Sequence, residues 1–191
     1  MKKLLSLLLA LALPLLAFSQ EETHMMFQGI PIDGSVPSFV QKMENKGWTY
    51  SRTTNDIIIL TGHFASNNAE LYIAQTYSSH QVWKVSVFFD EETNWYALKT
   101  IYNHFKEMLS TKYGDPSSSC ESFDDPYYEG DGYELSATRN DKCHYMTIWD
   151  KDNGLIGVVI SDACVYICYE DAINRQKNNL EKNKQAAYQD L

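Results

Sequence analysis

The spacing of hydrophobic and polar positions changes several times along the chain, and the changes divide it into elements. Leu4 to Phe18 is an almost unbroken apolar run, interrupted only by Ser6 and Pro14 and preceded by Lys2 and Lys3. After Gly29-Ile-Pro-Ile-Asp-Gly34, a stiff turn-like stretch, Val36, Phe39, Val40 and Met43 recur at helical spacing behind Ser35, a fitting N-cap. Lys42, Lys46 and Gly47 suit the end of that helix, the lysines by charge and the glycine as a C-cap. The period then drops to two. Asp56 to Phe64, Glu70 to Tyr77 and Gln81 to Phe89 read as strands, with a Ser66-Asn67-Asn68 turn after the first. In the last strand Trp83, Val85, Val87 and Phe89 share one face and Lys84 and Ser86 the other. One dry face and one wet face is the pattern of an antiparallel sheet.

Helical spacing returns behind Thr93, the expected N-cap, through Leu98, Ile101, Phe105, Met108 and Leu109, and stops at Tyr113-Gly114-Asp115-Pro116. A polar, acidic loop follows. Three or four further strands are expected over Tyr133 to Asn140, Cys143 to Asp150, Leu155 to Ser161 and Cys164 to Glu170, with Asn153-Gly154 a strong hairpin turn. From Asp171 to Leu191 the chain turns helical and polar, and is expected to dock through Ile173 and Leu180. The fold class is therefore α+β, with antiparallel β meanders and helices packed on one face. Two halves, about 27–90 and 91–170, repeat the order helix then meander. A final helix, 171–191, completes one domain over 20–191.

The first apolar run is shorter than the ~20 residues a spanning helix needs, and Ala17-Phe18-Ser19 places small residues just before Gln20. Residues 1–19 thus read as a secretory signal peptide cut before Gln20. No cysteine lies near the cut, the first being Cys120, which argues against a lipid anchor. No later stretch is long and apolar enough to span a bilayer, so no membrane span is expected after cleavage. The mature chain is expected in the periplasm or outside a bacterial cell. Losing Lys2 and Lys3 with the leader deepens the formal charge of −9 by two units. Such a surface repels nucleic acid and anionic lipid. It leaves an unidentified protein or glycan ligand as the expected partner.

Four cysteines in an oxidising compartment allow two disulfides in three connectivities. Cys164 and Cys168 sit four apart on one strand, about 13 Å, too far for a direct bridge. Cys120 and Cys143 flank a loop-plus-strand excursion and form the preferred pair; the alternative is four buried thiols.

No histidine spacing matches a zinc site, no Cys-x-x-Cys exists, and neither a nucleophile elbow nor a phosphate loop is present. Asp150-Lys-Asp152-Asn153-Gly154 places its glycine wrongly for a calcium loop and lacks the closing glutamate. No catalytic residue, metal site or cofactor is assigned. The strongest candidate for binding is Glu121 to Glu134, and within it Asp124, Asp125, Tyr127, Tyr128, Glu129 and Asp131. Carboxylates at that density suit Ca²⁺, and exposed tyrosines suit a sugar or a protein partner.

The stretch Phe27-Gln-Gly-Ile-Pro-Ile-Asp-Gly34, followed by Ser35, Phe39, Val40, Lys42, Met43, Lys46 and Gly47, resembles a family of small secreted proteins found in many copies in Bacteroides-type bacteria. Lys84-Val-Ser-Val-Phe-Phe89, Leu109-Ser-Thr-Lys-Tyr-Gly-Asp-Pro116 and Asp141-Lys-Cys143 extend the resemblance over nearly the whole mature chain. It implies a bacterial periplasmic or cell-surface protein and brings no activity, cofactor or catalytic residue. The order of elements is also similar to secreted inhibitors of the β-lactamase-inhibitor type. The expected function is an exported, non-catalytic binding protein, protein-binding or inhibitor-like. The alternative is a secreted hydrolase whose catalytic groups converge only in three dimensions.

Overall fold

The computed structural model describes residues 23–189; the leader read over 1–19 lies outside the described residues. A small hairpin, β1 (Met26–Phe27) and β2 (Ile30–Pro31), leads into α1 (Val36–Glu44). A first meander follows: β3 (Thr49–Thr54), β4 (Ile57–Phe64), β5 (Asn67–Gln75) and β6 (Val82–Phe88). Next come α2 (Trp95–Tyr113), β7 (Ser118–Phe123) and α3 (Glu134–Arg139). β8 (Cys143–Lys151), β9 (Gly154–Ser161), β10 (Cys164–Asp171) and α4 (Ala172–Gln189) complete the chain. The eight strands β3 to β10 form one antiparallel sheet in the order β3-β4-β5-β6-β10-β9-β8-β7. Two four-stranded meanders, each preceded by a helix, thus meet through their last strands, with Val87 opposite Ile167 and Val85 opposite Tyr169.

Helices pack on one face of this sheet, where strand parity delivers the apolar side chains. Leu60, Leu71, Ile73, Val85, Val87, Val158 and Ile167 are fully buried there. α2 lies against β9 and β10 through Leu98, Tyr102, Phe105 and Leu109. Each such side chain contributes about 1.5–3 kcal/mol on burial. Phe105 stacks on Phe89 with ring centroids 4.4 Å apart, and the Tyr102 hydroxyl meets Thr147 at 2.7 Å. Asn94 rather than Thr93 caps α2, its side chain accepting from the Ala97 amide at 2.8 Å. Gly62 is required by packing, because a Cβ there would sit 2.8 Å from the Trp48 ring.

The Ile-Pro-Ile-Asp-Gly stretch is a structural clamp. Ile32 is fully buried, and Asp33 accepts from the Asn174 side chain at 2.9 Å. The same Asn174 amide reaches Ile32 O at 3.1 Å and Val82 O at 3.0 Å. Buried Asp171 accepts from the Met25 amide at 2.8 Å and the Asn174 amide at 2.8 Å, and touches the His24 ring at 3.0 Å. The start of the described chain is thereby tied to the β10–α4 junction.

Several expectations need correction. Tyr133 to Asn140 contains helix α3, not a strand: Glu134, Ala137 and Thr138 are buried at helical spacing. The expected loop after α2 contains strand β7, which is polar and exposed because it is an edge paired only with β8. β3 is the opposite edge, exposed along its whole length and equally without an apolar face. α4 docks through Asn174 and Asn178, both buried; of the expected pair, Ile173 is half-buried and Leu180 is exposed. The Cys120–Cys143 bridge does not form, and all four cysteines are free. Cys120 pairs with Met146, and Cys143 lies three residues further along β8. An odd offset puts the two side chains on opposite faces of the sheet, beyond the reach of a disulfide.

Candidate binding site

Residues 124–133 link β7 to α3 at one end of the helix-covered face. Local hydrogen bonds shape this loop before any long-range contact is made. Asp131 accepts from the Tyr128 amide at 3.0 Å and from the Tyr133 amide at 2.6 Å, closing the turn with its own carboxylate. Gly130 and Gly132 have φ of 89° and 78°, a region that glycine enters without strain. Glu134, buried in the first turn of α3, accepts from the Gly130 amide at 2.8 Å.

The remaining carboxylates anchor the loop to the body. Glu129 pairs with Lys99 of α2 and accepts from the Tyr145 hydroxyl at 3.1 Å. Lys99 holds the Glu129 carboxyl below its ordinary range, outweighing the opposing effect of burial. The Trp95 indole N–H is buried without a hydrogen-bond partner. Burial and the Glu129 charge push the Tyr145 hydroxyl well above its usual value. Beneath lies an aromatic floor in which Trp95 meets Tyr145 edge-on at 5.0 Å and Phe123 at 5.3 Å. Asp124 contacts His144 at 3.1 Å and Lys142 at 3.4 Å, and His144 leads in lowering its pKa.

This geometry reassigns the sequence candidates. Asp124, Glu129 and Asp131 are committed to His144, Lys99 and backbone amides respectively, so they do not converge on a common point. Among the described residues, no group of three or more His, Cys, Asp or Glu side chains is arranged to hold a metal ion. Asp125 is exposed, and Tyr127 is half-buried with its hydroxyl 3.5 Å from the Asn140 side-chain amide. What the loop offers to solvent is Tyr128 and Tyr133, 65% and 66% exposed. Tyr96 on the first turn of α2, next to Trp95 and one turn before Lys99, is 82% exposed. Tyr96 was not a sequence candidate. Its only signal is that it falls off the stripe formed by Leu98, Tyr102, Phe105 and Leu109.

The sheet face away from the helices is a second surface that the sequence reading left unassigned. Tyr72, Phe88 and Tyr166 form a ladder across β5, β6 and β10, with centroids 4.4 Å and 4.8 Å apart. Lys84 pairs with Glu170 at 2.9 Å beside it. A shallow depression of about 350 Å³ lies between Tyr72, Phe88 and Cys164, rimmed by Glu70, Asp90 and Glu91.

Two histidines touch carboxylates, and both contacts serve the scaffold. His24 sits 3.4 Å from Asp33 and 3.0 Å from Asp171 within the clamp, and His144 holds Asp124. No helix among the described residues is long and apolar enough to cross a membrane. Compared with known protein families, curated proteins and solved structures, the chain matches none of them.

Proposed function

We propose that this chain is an exported, non-catalytic binding protein of the bacterial cell envelope or extracellular space. Its contact edge for a protein partner is formed by Tyr128 and Tyr133, with exposed Tyr96 on the first turn of α2, the helix whose Lys99 holds the loop through Glu129. One observation carries this reading: two tyrosines stand about two-thirds exposed on a loop whose shape is fixed internally by the Glu129 and Asp131 carboxylates. A tyrosine supplies a large rigid contact area and a hydrogen-bonding tip, the side-chain type enriched at interface hot spots. Holding the loop in place beforehand lowers the ordering cost of association. The surrounding negative charge favours a partner with a basic rim.

The test compares two forms of the mature chain, residues 20–191, tagged and cross-linked to envelope and culture-supernatant fractions. One is unchanged; the other carries Tyr128→Ala and Tyr133→Ala. Both should show the same circular dichroism and urea midpoint. The expected result is one partner captured in stoichiometric amount by the unchanged chain, with affinity reduced at least about tenfold in the variant, a loss of about 1.4 kcal/mol. A partner held equally well by an intact variant overturns the site. Capture of no protein by either form overturns the protein-binding reading.

A further inference from the structure

Among the described residues, the sheet has two free edges, and they are built differently. β3 carries a register shift between Tyr50 and Arg52 and projects Arg52, paired with Glu70. A bulge and a charge of this kind are devices that discourage edge pairing. β7 has neither. It pairs with β8 in unbroken register over Ser118–Phe123, contains no lysine, proline or bulge, and is exposed from Ser118 to Ser122.

The phase of its hydrogen bonds follows from one contact. Asp124 N donates to Lys142 O, directly opposite it, at 2.9 Å. Antiparallel strands alternate bonded and non-bonded pairs. The even-numbered residues of β7 therefore direct their backbone groups inward to β8, and Ser119 and Glu121 direct theirs outward. Side-chain faces alternate in step: Ser119 and Glu121 lie on the helix side, and Cys120 lies on the open side.

We propose that β7 is a docking edge for a second copy of this chain, paired antiparallel about a two-fold axis through Cys120. In that register Ser119 and Glu121 of one copy exchange both backbone bonds with Glu121 and Ser119 of the other. Charge complementarity selects this register over the one centred on Glu121. Lys106 pairs with Glu121 and lies 3.5 Å from Ser119 Oγ. Placing Glu121 of the second copy opposite Ser119 brings each Lys106 a second carboxylate, so charges alternate across the junction. An axis through Glu121 would instead set two carboxylates face to face. The chosen register also makes Cys120 a non-hydrogen-bonded pair with its own copy, with Cα atoms about 4.5 Å apart, inside the range a disulfide tolerates.

The experiment uses the mature chain, residues 20–191. Sedimentation of the fully reduced protein measures non-covalent association, and glutathione disulfide then reports proximity. In the second step two Cys120 thiols lose two protons and two electrons and form an S–S bond, while glutathione disulfide is reduced to two thiols. The expected result is a concentration-dependent dimer when reduced, and a covalent dimer on oxidation whose linked peptide is Cys120 to Cys120. Cys120→Ser should abolish the covalent species and keep the reversible dimer. Glu121→Pro removes an outward N–H together with the carboxylate that Lys106 holds, and leaves the inward bonds to β8, so β8 pairing survives while the dimer dissociation constant rises about tenfold or more. A reduced protein monomeric at all concentrations overturns the proposal. So does a dimer unaffected by Glu121→Pro, or a cross-link through another cysteine.

Discussion

Replacing Asn174 by Ala should be among the most damaging single changes in the molecule, although it removes no apolar group. The residue is 2% exposed, and its Nδ2 lies 2.9–3.1 Å from Asp33 Oδ1, Val82 O and Ile32 O. An amide carries two hydrogens, so one is shared between two of these acceptors. Truncation leaves at least two acceptors without a donor, at about 1–3 kcal/mol each. The void left by the side chain adds to this, giving an expected loss of about 2–5 kcal/mol. Urea unfolding followed by tryptophan fluorescence reads it directly. With a slope of about 1–3 kcal/mol per molar, the midpoint should fall by at least about 0.7 M. Asn178→Ala is the internal control, since Asn178 makes a single bond, accepting from the Tyr77 amide at 3.0 Å. It should cost about 1 kcal/mol. If Asn174→Ala costs under about 1 kcal/mol, or no more than Asn178→Ala, the clamp does not hold α4, β6 and the Ile-Pro-Ile-Asp stretch together as argued.

In the reduced native protein one thiol of the four should react rapidly with an aromatic disulfide reagent. Cys120 is exposed, whereas burial pushes Cys143 and Cys164 up to about 11 and raises Cys168 as well; four fast thiols would contradict this packing. Stability should fall on the acid side. Arg52 lowers Glu70 and Lys99 lowers Glu129. Asp33 and Glu181 are also lowered, because hydrogen bonds and nearby positive charge outweigh burial. A depressed folded value means the stabilisation is present above the ordinary carboxyl range and lost as pH drops through the lowered values. The urea midpoint should therefore decline from just above the ordinary 4.5 of glutamate and 3.8 of aspartate downward, less steeply in Glu129→Gln; an equal slope would remove Glu129 from the account. Gly62→Ala should cost about 1–3 kcal/mol and shift Trp48 emission, because the new methyl meets the indole at 2.8 Å; unchanged emission would refute the contact.

What could be read from sequence was wherever side chains alternate between a helix-covered face and an open one. β5 and β8 carry that alternation, and the meander order predicts two halves, which the structure joins at β6 and β10. β3 and β7 carry none, since an edge strand facing solvent on both sides is held by its backbone, and backbone bonding leaves no mark on residue choice. α3 was misread because Tyr133, Leu135 and Ala137 alternate like a strand, while the buried set is Glu134, Ala137 and Thr138. α4 was misread because its docking side chains are asparagines, which pattern analysis counts as solvent-facing.

The same blindness to internal hydrogen bonding explains the candidate site. A cluster of acidic residues reads as a cation site only while the groups that satisfy it are unknown. Lys99, Lys142 and His144 lie 18 to 30 residues away in sequence from the carboxylates they hold, and no local spacing rule reaches that far. Two of the three carboxylate positions involved, Asp124 and Glu129, face a cation of this chain, and the third closes its own turn. Free energy spent inside the loop is not available to an ion outside it. The tyrosines are in the opposite position: Tyr128 and Tyr133 are fixed by neighbours that do not cover them, which leaves their faces as the unsatisfied part of the structure. In the proposed binding mode, affinity therefore depends on aromatic area first. The acidic groups act through the shape they impose, so Glu129→Gln should weaken a partner by loosening the loop, and added Ca²⁺ should leave affinity unchanged.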